Sequence, residues 1–206
     1  MNDRSVTLID PFFMFDEILP RNEVAVRILN ATDRLMAKEG VQNISTHKIA
    51  KEAGVSVGTI YLYFKDKESL LQQLVLYLFD AFHTAVDSKH DPTLPLFEQY
   101  KQMWRDTWQF MLSKPDIVKN IHQYESLPQF QTIMLECLKS EETTWNKFVR
   151  QGQESGVIAL LPPFVLFAIS MHTVWELMRQ QLILGEVYSE AILEETVLRT
   201  WKAITI

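Results

Sequence analysis

The residues that end helices are few in this chain and fall in clusters, and that distribution limits the possible folds more than any other feature. Glycine occurs only at positions 40, 54, 58, 152, 156 and 185, and three of the six fall within nineteen residues. Prolines 92, 95, 115, 128, 162 and 163 cut the remainder into pieces of helical length. Between them apolar residues recur with helical period, and the sustained apolar–polar alternation of a half-buried strand is absent. The fold is therefore expected to be all-α. A chain of 206 residues can bury a core without staples. The lone Cys137 excludes an intrachain disulfide scaffold and suits a reducing cytoplasm. No apolar run reaches the ~18 residues of a membrane helix. The opening MNDRSVTLIDPFFMF, with Asp3 early and Asp10-Pro11 interrupting it, does not read as a signal peptide.

About nine helices are expected. In the first, 23–39, Val24, Ile28, Ala31 and Leu35 form one stripe, and Gly40 is placed to cap its end. A short second helix starts after Ser45-Thr46, turns Ile49, Ala50 and Ala53 inward, and stops at Gly54. The third spans 57–64 with Ser56 as N-cap. Asp66 caps a long fourth helix carrying Leu70, Leu71, Leu74, Leu78 and Phe82 on one face. Further helices are read at 94–112, 116–124, 128–154, 163–184 and 187–204. All five tryptophans lie in this second half, which divides the chain into an extension (1–20), a head (21–81) and a C-terminal domain (82–206). The extension holds Phe12, Phe13, Met14 and Phe15, too apolar for a free tail and expected to pack on a neighbouring helix or partner.

Net charge is −6, which argues against a protein that coats nucleic acid over its whole surface. The charge is uneven. Residues 1–20 carry −3, residues 21–68 carry +2 and residues 69–206 carry −5. The positive stretch contains STHKIAKEAGVSVGTIYLYFKDKESL (45–70), two short helices about a tight turn, a helix-turn-helix at about 45–64. Small Ala53 lets the helices cross closely, and Gly54 supplies the turn. Val55 and Ile60 plug the shared core, and Gly58 leaves room for a partner to approach. Thr59, Tyr61 and Tyr63 remain on the outer side of the third helix, which in such units enters the major groove of DNA.

The run ISTHKIA (44–50) followed by KEAGVSVGTIYLYFKDKESLL, with ILNATDRLMAKEG (28–40) upstream, resembles the signature of the tetracycline-repressor (TetR) family of bacterial regulators. The resemblance covers about fifty residues and leaves the C-terminal region unmatched. It implies a homodimer whose N-terminal heads bind a palindromic double-stranded operator and whose C-terminal domains bind a small effector. It also implies that Thr46 and His47 meet DNA at the start of the second helix, and that Ser56, Val57, Gly58 and Thr59 open the recognition helix. Tyr61 and Tyr63 match positions near the backbone, and Lys67 a lysine that meets phosphate. Val57 departs from relatives that place a polar residue there, so a thymine methyl is the contact it could make.

In the second half Phe97, Tyr100, Trp104, Trp108 and Met111 form a stripe that reads first as core. Aromatic and methionine side chains exceed what a small bundle needs, which keeps a pocket in view. Its candidates are Met103, Trp104, Trp108, Met111, His122, Tyr124, Trp145, Phe148, Met171 and Trp175, with Glu125 and His172 as further polar groups. Candidates for the dimer seam are Phe164, Phe167, Met171, Val174, Met178, Leu193, Val197 and Trp201. His172 and Glu176 are too few to bind a metal, and Glu176 is placed to pair with Arg179. No HExxH, phosphate loop or nucleophile elbow is present, so neither catalysis, a metal nor a cofactor is expected. The sequence thus reads as a cytoplasmic bacterial transcription regulator, most often a repressor. The competing reading is a helical small-molecule carrier or interaction protein with a non-functional head.

Overall fold

The computed structural model describes residues 22–141 and 143–206; the expected packing of Phe12 to Phe15 lies outside them. The described chain is all-α, with an N-terminal helix-turn-helix and a C-terminal helical domain. The helices are α1 Glu23–Glu39, α2 Thr46–Ala53, α3 Val57–Tyr63, α4 Lys67–Ala85, α5 Leu96–Ser113, α6 Pro115–Glu125, α7 Pro128–Lys139, α8 Thr144–Glu154, α9 Pro163–Ile169, α10 His172–Leu184 and α11 Glu190–Ile204. Among the described residues the one bridge of β type joins Ile158 to Thr205, which fastens the chain end to the α8–α9 loop.

Local chemistry sets the boundaries. Asn22, Ser45, Ser56, Asp66, Thr143 and Ser189 each accept a first-turn amide hydrogen bond at a helix start. Asp66 and Ser69 bond reciprocally. Pro115, Pro128 and Pro163 begin α6, α7 and α9, where a missing N–H costs nothing. The head closes on Ile28, Ala31, Leu35, Ile49, Ala53, Ile60 and Phe64, all buried.

Two expected helices are each two in the structure. The 128–154 segment breaks after Lys139, and Thr143 accepts from Asn146 N and starts a new helix. The 163–184 segment breaks at Ser170 without glycine or proline. Its hydroxyl donates to the Leu166 carbonyl at 2.5 Å, and the Thr173 hydroxyl donates to the Ser170 carbonyl at 2.6 Å. Ser170 itself leaves helical geometry, with φ −131° and ψ −81°.

Gly54 has φ +64° and donates its N–H toward Ala50 and Lys51 carbonyls. No atom lies within 4 Å of where a Cβ would sit, so a side chain here meets only backbone strain. Gly54→Ala should therefore lower stability by about 1–2 kcal/mol in urea unfolding, the cost of a left-handed residue with a Cβ.

Candidate functional site: a nucleic-acid interface and a cavity

The outer surface of the head is polar and aromatic. His47, Ser56 and Gly58 are exposed, whereas Thr46, Val57 and Thr59 are half-buried. Ser56 Oγ accepts from Thr59 N at 3.0 Å and lies 2.8 Å from Thr59 Oγ1, so one pair of hydroxyls both starts α3 and faces outward. Tyr61 is 54% exposed and Tyr63 37%. Between them stands Leu62, 82% exposed, an apolar residue whose type alone would suggest core. Lys67 is engaged within the protein. Its Nζ donates to the Val41 carbonyl (3.0 Å) and the Ile44 carbonyl (2.8 Å), bracing α4 against the α1–α2 loop and leaving one ammonium proton for another acceptor.

A polar cluster binds the head to the C-terminal domain. Asn120 of α6 donates to the Asp33 carbonyl (2.8 Å) and to Asp33 Oδ1 (2.6 Å) on α1, and the Tyr124 hydroxyl donates to that same carboxylate oxygen. Gln123 donates to the Met36 carbonyl (3.1 Å) and accepts from Val41 N (2.6 Å). Asn120 and Tyr124 are fully buried. Burial raises the Asp33 carboxyl above its ordinary value, against the hydrogen bonds from Tyr124 and Asn120 that lower it. Burial and the neighbouring carboxylate raise the Tyr124 phenol well above its own.

The other face of α6 lines a cavity of about 270 Å³. Ile117, Val118, Ile121, His122, Tyr124 and Glu125 form that wall; Leu78, Phe79 and Phe82 come from α4. Phe110, Phe130, Met134 and Phe167 extend the apolar lining, and Trp175 with His172, Glu176 and Arg179 completes it from α10. At its polar part Arg179 Nε and Nη2 donate to the two oxygens of Glu176 at 2.8 and 2.6 Å, and Gln180 adds a bond of 2.9 Å. The guanidinium bonds pull the Glu176 carboxyl down to about 2. His122 Nδ1 lies 3.0 Å from Glu125 Oε2.

Of the ten pocket candidates, His122, Tyr124 and Trp175 line this cavity. Met103, Trp104, Trp108, Met111, Phe148 and Met171 are instead buried in the core. Trp104 and Trp108 stack on each other at 5.8 Å. Trp145 and Phe148 join Tyr100 and Trp201 in an aromatic cluster, and Trp145 Nε1 donates to the Pro163 carbonyl. The surplus rings thus fill space between α5, α8 and α11. About half of the cavity's lining comes from α4 and α6, whose apolar residues read as ordinary core. The His172–Glu176–Arg179 spacing on one helix face was the available signal for the α10 wall.

The seam candidates divide similarly. Met171, Val174, Met178, Leu193 and Val197 are buried within the single chain, because the inner faces of α10 and α11 pack on α5. Trp201 packs on Phe97 and Tyr100, and Phe167 on Trp145. Phe164 alone of the eight is exposed, at 57%. Among the described residues no three His, Cys, Asp or Glu side chains gather as a metal site, and no helix is long and apolar enough to cross a membrane.

Two family models match. Residues 28–74 fit the model for bacterial regulatory proteins of the tetR family, and residues 95–205 the model for the tetracyclin repressor-like C-terminal domain. The chain belongs to the TetR family of transcriptional regulators and carries its DNA-binding domain. An uncharacterized HTH-type transcriptional regulator from Haemophilus influenzae is 41% identical over 89% of this chain and 97% of its own. A solved TetR-family regulator structure from Haemophilus influenzae, also 41% identical over those shares, superposes with a TM-score of 0.81. A Vibrio parahaemolyticus regulator of the family is 27% identical over 89% of this chain and all of its own, with a TM-score of 0.71.

The cluster at Asp33 makes a pH prediction. A carboxyl raised on folding favours the native state while protonated, and that advantage is lost as pH rises through its folded value. Asp33→Asn has no such loss, so its stability relative to the parent should climb as pH rises above the ordinary carboxylate range. Paired urea titrations check this; a constant difference would mean the carboxyl titrates normally.

Proposed function

We propose that this chain is a ligand-responsive repressor that binds a palindromic operator as a homodimer in the bacterial cytoplasm and is released by a small apolar effector. The observation that carries the DNA reading is the outer face of α3. Tyr61, Leu62 and Tyr63 stand in solvent beside Lys65 while Ile60 and Phe64 fill the head's core. Side chains so placed on a recognition helix meet groove and phosphate. Thr46, His47, Ser56, Val57, Gly58 and Thr59 complete the proposed contact surface, with the free proton of Lys67 directed to a phosphate. Dimerisation is supported by apolar side chains left outside on the last helices: Phe164, Ile169, Ile183, Leu184 and Ile192.

The effector reading is supported by the cavity's position. Its walls include α4, which begins beside α3, and α6, which holds α1 through Asp33. An occupant that moves either helix changes the distance between two heads that must fall about 34–36 Å apart, or a multiple of it, on one face of the duplex. The division into a head at 21–81 and a sensor at 82–206 follows from this reading, with α4 as the shared element.

The direct test is the double substitution Tyr61→Phe and Tyr63→Phe, which keeps both rings and removes two phosphate-directed hydroxyls. In gel shifts with the DNA upstream of the protein's own coding region, affinity should fall about tenfold at unchanged melting temperature. Equal retardation by parent and variant would remove the tyrosines from the interface, and no retardation by the parent even at low salt would favour the carrier reading.

A further inference from the structure

Resting on the cavity reading above and deepening it, we infer that the cavity admits uncharged apolar ligands and excludes anions, and that Glu176 is the residue that sets this selectivity. The walls offered by Leu78, Phe82, Phe110, Ile117 and Trp175 are hydrocarbon and ring, which solvate no charge. Among the described residues, the guanidinium on this lining is that of Arg179. It would be the natural partner of a carboxylate, sulfonate or phosphate head, through its planar fork of donors.

The Nε–Nη2 side of that fork is already occupied. Glu176, one turn earlier on α10, takes it with both oxygens at 2.8 and 2.6 Å, and Gln180 holds the carboxylate in place at 2.9 Å. The carboxyl stays ionised across the physiological range, because the Arg179 bonds hold it at about 2. An anionic ligand must either expel this tethered carboxylate or take the remaining Nη1 donors of a guanidinium whose charge Glu176 already neutralises, losing its own hydration beside a second negative charge. Glu125 places a second carboxylate on the lining. A neutral ligand meets none of these costs and gains the apolar contacts.

Two fluorescent probes with one skeleton separate the possibilities in the full-length protein: neutral N-phenyl-1-naphthylamine and its sulfonate, 8-anilinonaphthalene-1-sulfonate. The neutral probe should bind, and the sulfonate at least about tenfold more weakly. Met134→Trp, which narrows the cavity from α7, should cut the neutral probe's signal. Glu176→Gln should shift the ratio of sulfonate to neutral-probe affinity about fivefold toward the sulfonate, within the range of an exposed ion pair. Adding Arg179→Gln should abolish that gain. Equal binding of both probes by the parent, or a Glu176→Gln effect shared by both, overturns the selectivity while the cavity reading stands. Failure of both probes to bind, or a neutral signal indifferent to Met134→Trp, overturns the cavity reading and the inference together.

Discussion

A handful of buried hydrogen bonds between α1 and α6 holds the two halves of the molecule in one geometry. Asn120 and Tyr124 donate to Asp33, and Gln123 donates to Met36 and accepts from Val41; Asn120, Tyr124 and Met36 are buried and the others half-buried. A buried polar group left without its partner costs about 1–3 kcal/mol, so α6 cannot slide along α1 by half a turn without several such losses. Apolar packing alone tolerates small shifts; this cluster does not. It converts a soft contact into a jointed one, in which α1 follows α6 or parts from it.

The same helix turns its other face to the cavity, and Tyr124 belongs to both faces. Its ring lines the cavity while its hydroxyl reaches Asp33. An occupant pressing on the ring therefore acts directly on the bond that fastens the head. α4 offers a second route through Leu78, Phe79 and Phe82, but its N-terminal end is braced by the Asp66–Ser69 box and by Lys67 on the α1–α2 loop. A motion of α4 must carry those attachments with it, so both routes converge on the α1–α2 corner of the head.

The head was legible in the sequence because its constraints are local. Gly54 must turn, Ser45, Ser56 and Asp66 must cap, and Ile49, Ala53 and Ile60 must face inward; each depends on neighbours a few residues away. The cavity was not, because whether a ring fills space or borders it depends on elements far apart in the chain. Trp104 and Phe82 look alike in a periodic stripe; one is buried and stacked on Trp108, and the other faces an opening between α4, α6 and α10. The break at Ser170 was hidden for a related reason. A serine that takes the Leu166 carbonyl is indistinguishable in sequence from one that points to solvent. The second role of Lys67 was equally invisible, since a lysine at a helix start carries no sign of which carbonyls lie within reach.

The division of charge completes the picture. The head carries +2 over residues 21–68, and the remainder of the described C-terminal region is acidic. Phosphate attraction acts over about a Debye length, ~8–10 Å at ordinary salt, so only the surface nearest the duplex contributes. An acidic second domain then orients the chain, since it is repelled by the polyanion that draws the head. The same sign suits the cavity, whose guanidinium is masked by its own carboxylate. A protein that must approach one polyanion at one surface gains nothing from a free cation elsewhere, where phosphate and nucleotide would compete for it.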